Sequence, residues 1–157
     1  MSNRNNIENL KIENARIIFR NFEGRKDTYN KNGVRTFGVV LEDPEVAMQL
    51  KADGWNVKVR PGREDDEPPR YHLPVTVSYG NYPPKIVMIA GKAKVLLDED
   101  TVGELDHSEI ASADMIISPY SWEVNGDSGI KAYLKTMYVT IEQDEFADKY
   151  EHIGEED

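Results

Sequence analysis

Apolar and polar positions alternate with a period of two along most of this chain, the pattern of strands that bury one face. "WNVKVR" sets Trp55, Val57 and Val59 against Asn56, Lys58 and Arg60. "HLPVTVSY" sets Leu73, Val75, Val77 and Tyr79 against His72, Pro74, Thr76 and Ser78. "NARIIFRNF" groups Ala15, Ile17 and Phe19 on one side, and Arg16, Ile18, Arg20 and Phe22 on the other. Further strands are predicted in "VRTFGVVL", "KIVMIAGKAKVLL", "DMIISPYSWEV" and "GIKAYLKTMYVTI". Asn125-Gly126 between the last two marks a hairpin, and Asp127 and Ser128 after it point to a loop longer than two residues.

One segment breaks the alternation. In "EDPEVAMQLKADG", Asp43 is a natural cap, Pro44 suits the first helical position, and Val46, Ala47 and Leu50 form an apolar stripe. Gly54 can close that helix in a left-handed conformation. A shorter helical turn is expected around Thr101 to Leu105, and "RPGREDDEPPRY" reads as a charged loop between strands. Many strands and one inserted helix predict an all-β chain with small α insertions, built as a small barrel rather than a βαβ sheet. Periodicity alone does not separate a barrel from a sandwich.

The length of 157 residues suits a single domain with one core. Hydrophobic residues make up 39% and charged residues 31%, a balance that supports a folded chain. The chain has no cysteine, which rules out disulfides and cysteine-based zinc sites. No run of about 18 apolar residues occurs, and "MSNRNNIENLK" lacks the apolar core of a signal peptide, so a cytoplasmic setting is expected.

Charge changes the picture more. A formal charge of −10 argues against polyanionic ligands when taken as a whole. It is unevenly spread. Glu142 to Asp157 holds eight acids and one lysine, whereas Lys11 to Arg35 holds seven basic residues against three acids. The chain therefore has a basic front and an acidic end.

In the basic front, Phe22, Tyr29 and Phe37 interleave with Arg20, Arg25, Lys26, Lys31 and Arg35, and Gly24 and Gly33 permit sharp turns. Cations neutralise phosphates and flat rings accept unpaired bases, each stacked base being worth roughly 1–3 kcal/mol. A solvated hairpin with one or two core aromatics explains the same composition, and Phe37 fits the core better than a ligand site. In the last strand, Lys131, Tyr133 and Lys135 fall on one face at a spacing of two. That row suits a phosphodiester backbone with a base on the ring, or an ordinary lysine-bearing edge. Trp122, near the hairpin tip, reads either as a stacking ring or as a plug for the barrel end.

Enzymatic readings find little support. "LDEDTVGELDHSEI" partly imitates a calcium loop, but Val102 occupies a ligand position and has no side-chain oxygen. "AGKAK" lacks the upstream glycine and following hydroxyl of a phosphate loop. His72, His107 and His152 are scattered, Ser78 and Ser118 lack a nucleophile-elbow context, and no spacing singles out a metal-binding carboxylate cluster. No catalytic residue, metal or cofactor is expected.

The phrases "KIENARIIFRNFEG", "YNKNGVRTFGVVL", "LKADGWNVK", "PPRYHLPVTVSYGNYPPKIVMI" and "PYSWEVNGDSGIKAYLKTMYVTI" together resemble the single-stranded DNA-binding proteins of phages and prophages. The resemblance spans Ile7 to Tyr150. It implies an OB-fold-like five-stranded Greek-key barrel, here with one short helix after the second strand, working in replication or recombination in the bacterial host cytoplasm. It implies a nucleic-acid-binding domain over residues 1–141 and an acidic tail over 142–157 that recruits replication or recombination proteins. Many such tails end in a hydrophobic residue, whereas this one ends Glu155-Glu156-Asp157. Electrostatic competition for the groove is an alternative role.

The expected ligand is single-stranded DNA. Arg16, Arg20, Arg25, Lys26, Lys31 and Arg35 are placed near phosphates, with Lys58, Arg60, Lys131 and Lys135 extending the track. Phe22, Tyr29, Trp122 and Tyr133 are the candidate stacking rings. Two competing readings are a non-catalytic barrel that binds a basic protein partner, and a metal-dependent enzyme acting on nucleic acid.

Overall fold

The computed structural model describes residues 7–80 and 82–143. The described elements run β1 Leu10–Ala15, β2 Ile17–Asn21, β3 Arg35–Leu41, α1 Pro44–Ala52, β4 Lys58–Arg60, β5 Arg70–Val77, β6 Lys85–Ala90, β7 Ala93–Leu97, a 3-10 turn Val102–Asp106, β8 Ile110–Val124 and β9 Asp127–Ile141. The described residues are thus mostly β with one α-helix, as the sequence pattern predicts. The strand count is a correction: nine strands are described where five were expected. The helix follows the third strand and not the second, because the chain forms β1 over Leu10–Ala15, of which the first expected strand, Asn14 to Phe22, covers only the last two residues.

All nine strands join one mixed sheet. Its main path is β1-β8-β9-β5-β3-β2, with β4 added to β5 and the β6–β7 hairpin added to β9. β5 and β6 run parallel to β9, and the other pairs are antiparallel. The path starts at β1 and ends at β2, which are consecutive in the chain. The Arg16 carbonyl between them accepts a hydrogen bond from the Val40 N–H at 2.9 Å, tying this corner to β3.

Local chemistry explains the helix. The Asp43 carboxylate accepts from the Glu45 N–H, Pro44 opens the first turn, and Gly54 follows the last turn at φ 108°. Ala47 and Leu50 are buried, but Val46, predicted in the same stripe, is exposed. The hairpin between β8 and β9 is tighter than expected. Val124 pairs with Asp127, leaving only Asn125 at φ 53° and Gly126 at φ 89° in the turn. Those angles fit a two-residue primed turn, so Asp127 and Ser128 belong to β9.

Two bulges decide which side chains face outward. On β9, Ile116 pairs with Thr136 and Ile117 with Leu134, so Lys135 is an extra residue. The buried set is therefore Ile130, Ala132 and Leu134, then Met137 and Val139. On β2, Ile18 pairs with Gly38 and Asn21 with Thr36, again one residue too many, and Phe19 takes φ 53°. The shift turns Phe19 outward, 59% exposed, and Phe22 inward, 0% exposed. Phe22 stacks on Phe37 with ring centroids 5.1 Å apart. Phe22 is therefore a core residue and presents no face to a base, contrary to its expected stacking role.

Candidate functional site

The basic hairpin between β2 and β3 is held by its own side chains. The Asn30 amide donates to the carbonyls of Arg25 and Val34, and its oxygen accepts from the Val34 N–H. The Asp27 carboxylate accepts from the N–H groups of Tyr29 and Asn30. Gly24 and Gly33 adopt φ 76° and 69°, and a Cβ on Gly24 would stand 2.7 Å from the Gly33 carbonyl oxygen. The two limbs can approach this closely only without side chains. The tip projects Tyr29, 98% exposed, between the exposed Lys26 and Lys31.

The arginines at the base of this hairpin have protein partners. Arg20 donates from one nitrogen to the carbonyls of Leu105 and Ser108. Arg25 donates to the Arg20 carbonyl and to the Asn21 side-chain oxygen. Arg35 donates to the carbonyls of Phe22 and Glu99, approaches the Glu99 carboxylate at 3.9 Å, and lies 5.2 Å from the Tyr79 ring centroid. The acidic segment after β7 meets them. Asp106 accepts from the N–H groups of Phe22 and Glu23, and Asp98 accepts from Asp100 and Thr101 to start the 3-10 turn. The Thr101 hydroxyl and neighbouring amides hold the Asp98 carboxyl below its ordinary range. The segment that partly imitates a calcium loop thus buttresses the hairpin. Among the described residues no group of three or more histidines or acids is arranged to hold a metal.

The outward face of β5 contributes to three of the open grooves. Its inward side chains Leu73, Val75 and Val77 are buried, while His72, Pro74 and Thr76 face out, followed by Ser78 beyond the strand end. Three open grooves lie along this row. The first, of about 520 Å³, contains Thr76, Ser78, Tyr79, Arg35, Lys131 and Tyr133. The second, about 350 Å³, shares Thr76 and Lys131 with it and adds Pro74, Trp122 and Gly129. The third, about 480 Å³, lies at the far end around His72, Arg60, Arg70 and Arg16.

Rings and cations meet repeatedly on this face. The Lys131 ammonium lies 5.2 Å from the Tyr133 ring centroid, and Tyr120 meets Tyr133 edge-on at 5.9 Å. Trp122 packs across its partner Gly129, where a Cβ would come within 2.9 Å of the indole. The indole remains 37% exposed and lines the groove, so it does not plug the core. Tyr79 is half-buried, and its hydroxyl has no hydrogen-bond partner among the described residues. Burial raises its pKa, opposed by the nearby Arg35 charge.

The structure therefore sorts the predicted site residues. Arg35, Trp122, Lys131 and Tyr133 converge on the joined grooves. Lys26, Tyr29 and Lys31 form the exposed hairpin tip. Arg16 and Arg60 share the far groove, Lys58 pairs across from His72, and Lys135 is exposed at the β9 bulge. Lys131, Tyr133 and Lys135 stand on an interior strand, not on an edge. Arg20 and Arg25 are engaged within the hairpin base. Sequence reasoning missed Phe19, Arg70, His72, Tyr79 and Tyr120. Alternation assigned Phe19 and Tyr79 to the inner face, and only the register reveals the bulge that turns Phe19 out.

A sequence model of the phage ssDNA-binding domain matches residues 1–157. No curated protein matches the chain. Among solved structures, the C-terminally truncated single-stranded DNA-binding protein of bacteriophage Enc34 superposes with a TM-score of 0.55 at 12% identity, covering 87% of each chain. The same phage's protein in complex with ssDNA gives 0.52 at 12% identity, covering 87% of this chain and 88% of that one. A further structure of the same phage's single-stranded DNA-binding protein gives 0.54 at 11% identity, covering 90% of this chain and 89% of that one. At such identities the likeness is one of fold.

Proposed function

The chain belongs to the phage ssDNA-binding domain family, and from that premise we propose that it binds single-stranded DNA along the outer face of β5, without catalysis and without strong sequence preference. The observation that carries this reading is the continuous pair of grooves in which Arg35 with Tyr79, and Lys131 with Tyr133, set a cation beside a ring. Bases stack on Tyr133, Trp122 and Tyr79 while Lys131 and the hairpin tip, Lys26, Tyr29 and Lys31, close over the backbone. Every base has a π-face, so stacking of this kind discriminates weakly between sequences. The solved complex of the Enc34 protein with ssDNA supports the same ligand for this fold.

We also read the core as an oligonucleotide-binding barrel. Taken as one bent strand, β1 and β2 complete a five-member path with β3, β5, β9 and β8 that returns to its start. β4, β6 and β7 are additions to it. The setting that fits is phage replication or recombination in the host cytoplasm. Among the described residues no helix is long and apolar enough to cross a membrane.

The proposed acidic tail, 142–157, lies outside the described residues from position 144 onward. It competes with DNA for the groove and offers a contact to replication or recombination proteins. Removing it after Ile141 tightens oligonucleotide binding, most visibly at low salt where charges are least screened.

The test is titration of a fluorescent oligothymidine and a matched duplex at several salt concentrations, with and without magnesium. Single strands bind and remain intact. With roughly four to six phosphates neutralised, log K falls by about three to four per tenfold rise in salt. Binding absent at every salt concentration supports the protein-interaction reading instead, and magnesium-dependent cleavage supports the enzymatic one.

A further inference from the structure

We propose that Phe19, His72 and Arg60 form a second base-stacking station, with Arg16 and Arg70 as its phosphate contacts, at the end of β5 remote from Tyr133. The proposal rests on the ssDNA-binding reading and extends it by defining where the strand goes. A single strand leaving the Trp122 groove follows Pro74 and His72 across β5 to the corner where β1 becomes β2.

The first argument is conformational. Phe19 takes φ 53°, a region that bulky residues rarely occupy, and the bulge there turns its ring out of the core. The fold thus holds a strained backbone to present an aromatic ring to solvent, the association that marks functional sites. The ring is also fixed in place. Arg60 stands 5.2 Å from its centroid, and His72 meets it at 5.3 Å and 66°. His72 itself lies close over Gly38, where a Cβ would come within 3.1 Å of the imidazole. A ring held by neighbours loses little freedom when a base stacks on its open side.

The second argument is electrostatic. The adjoining groove brings together Arg16, Arg60 and Arg70 with Glu42 as its one carboxylate. Among the described residues neither Arg16 nor Arg70 forms an ion pair. Lys58 adds a further cation opposite His72 on β4. In a chain of charge −10, such a corner attracts a polyanion, and its flat rings favour one with exposed bases. A third argument is continuity, because the same outward row of β5 supplies His72 here and Pro74 and Thr76 in the next groove.

The experiment compares oligothymidines of increasing length, from about 4 to about 16 nucleotides, on the full chain and on its Phe19→Ala and Arg60→Ala variants. Wild-type affinity keeps rising until the strand reaches Phe19. The variants level off at a shorter length, with affinity for the longest strands about tenfold weaker. Length curves that coincide with wild type, or that fall equally at every length, overturn the proposal. Photocrosslinking of 5-iodouracil-substituted strands to the unmodified chain gives an independent readout. An adduct on the Phe19 peptide is expected, and adducts confined to Trp122 and Tyr133 overturn the second station. Failure of wild type to bind any length rejects the ssDNA reading itself, a distinct result.

Discussion

Two arginine-bearing corners of this molecule make opposite use of the same side chain. At the base of the β2–β3 hairpin, Arg20, Arg25 and Arg35 donate to backbone carbonyls, and Arg20 and Arg35 tie the loop to the acidic segment behind it. At the other end of β5, Arg16 and Arg70 make no ion pair among the described residues, and Arg60 lies over a ring. The first corner is denser in positive charge along the chain, yet the second holds more guanidinium free of protein acceptors. Cation density in a sequence therefore does not show which guanidinium groups the fold leaves without carbonyl acceptors. What separates the two corners is which donors remain after the fold has satisfied its own carbonyls.

The phenylalanine pair gives the sharpest test of this contrast. Phe22→Ala removes a fully buried ring stacked on Phe37 and should lower stability by about 3–5 kcal/mol. Phe19→Ala should stay within about 0.5 kcal/mol of wild type in the same denaturant titration. Equal losses would show that Phe19 is structural.

The arginines come next. Arg20→Ala strips the Leu105 and Ser108 carbonyls of a charged donor and should reduce stability by about 2–3 kcal/mol. Arg70→Ala should leave the unfolding midpoint unchanged and lower the salt slope of oligonucleotide binding by about 0.7. The reverse pattern would erase the distinction between the corners. On the joined grooves, Tyr133→Ala should weaken oligothymidine binding by about 1–3 kcal/mol, measured by fluorescence anisotropy.

The smallest effect concerns His72. Burial lowers its pKa, and the nearby Arg60 and Lys58 charges lower it further. The fold therefore prefers neutral imidazole. That contribution to stability is full above the unfolded value of about 6.5 and is lost as pH falls through the lowered folded value. Thermal melts at about pH 7.5 and about pH 5 should show a loss that His72→Gln reduces. A variant with the same acid sensitivity as wild type would remove His72 as its source.

Much of the architecture is legible locally. Alternation locates β3, β5, β8 and β9, the Asp43-Pro44 and Gly54 signals bound α1, and Asn125-Gly126 marks the long hairpin. These features depend on residues within a few positions of each other, so a single chain displays them. The same local rule assigns Phe19 and Phe22 to the wrong faces and predicts a loop where Asp127 pairs with Val124. Both errors have one cause, because a bulge or a turn length is a register between two strands and neither strand encodes it alone.

The amino-acid order by itself determined the β-rich class, the helix and its caps, the segregation of charge and the resemblance to phage single-strand binders, since each is written in short-range pattern or composition. Tertiary structure alone decided which rings reach solvent and which guanidinium groups are left for a ligand. Arg20 finds its acceptors 85 and 88 positions away, and no local pattern can record a hydrogen bond across that separation.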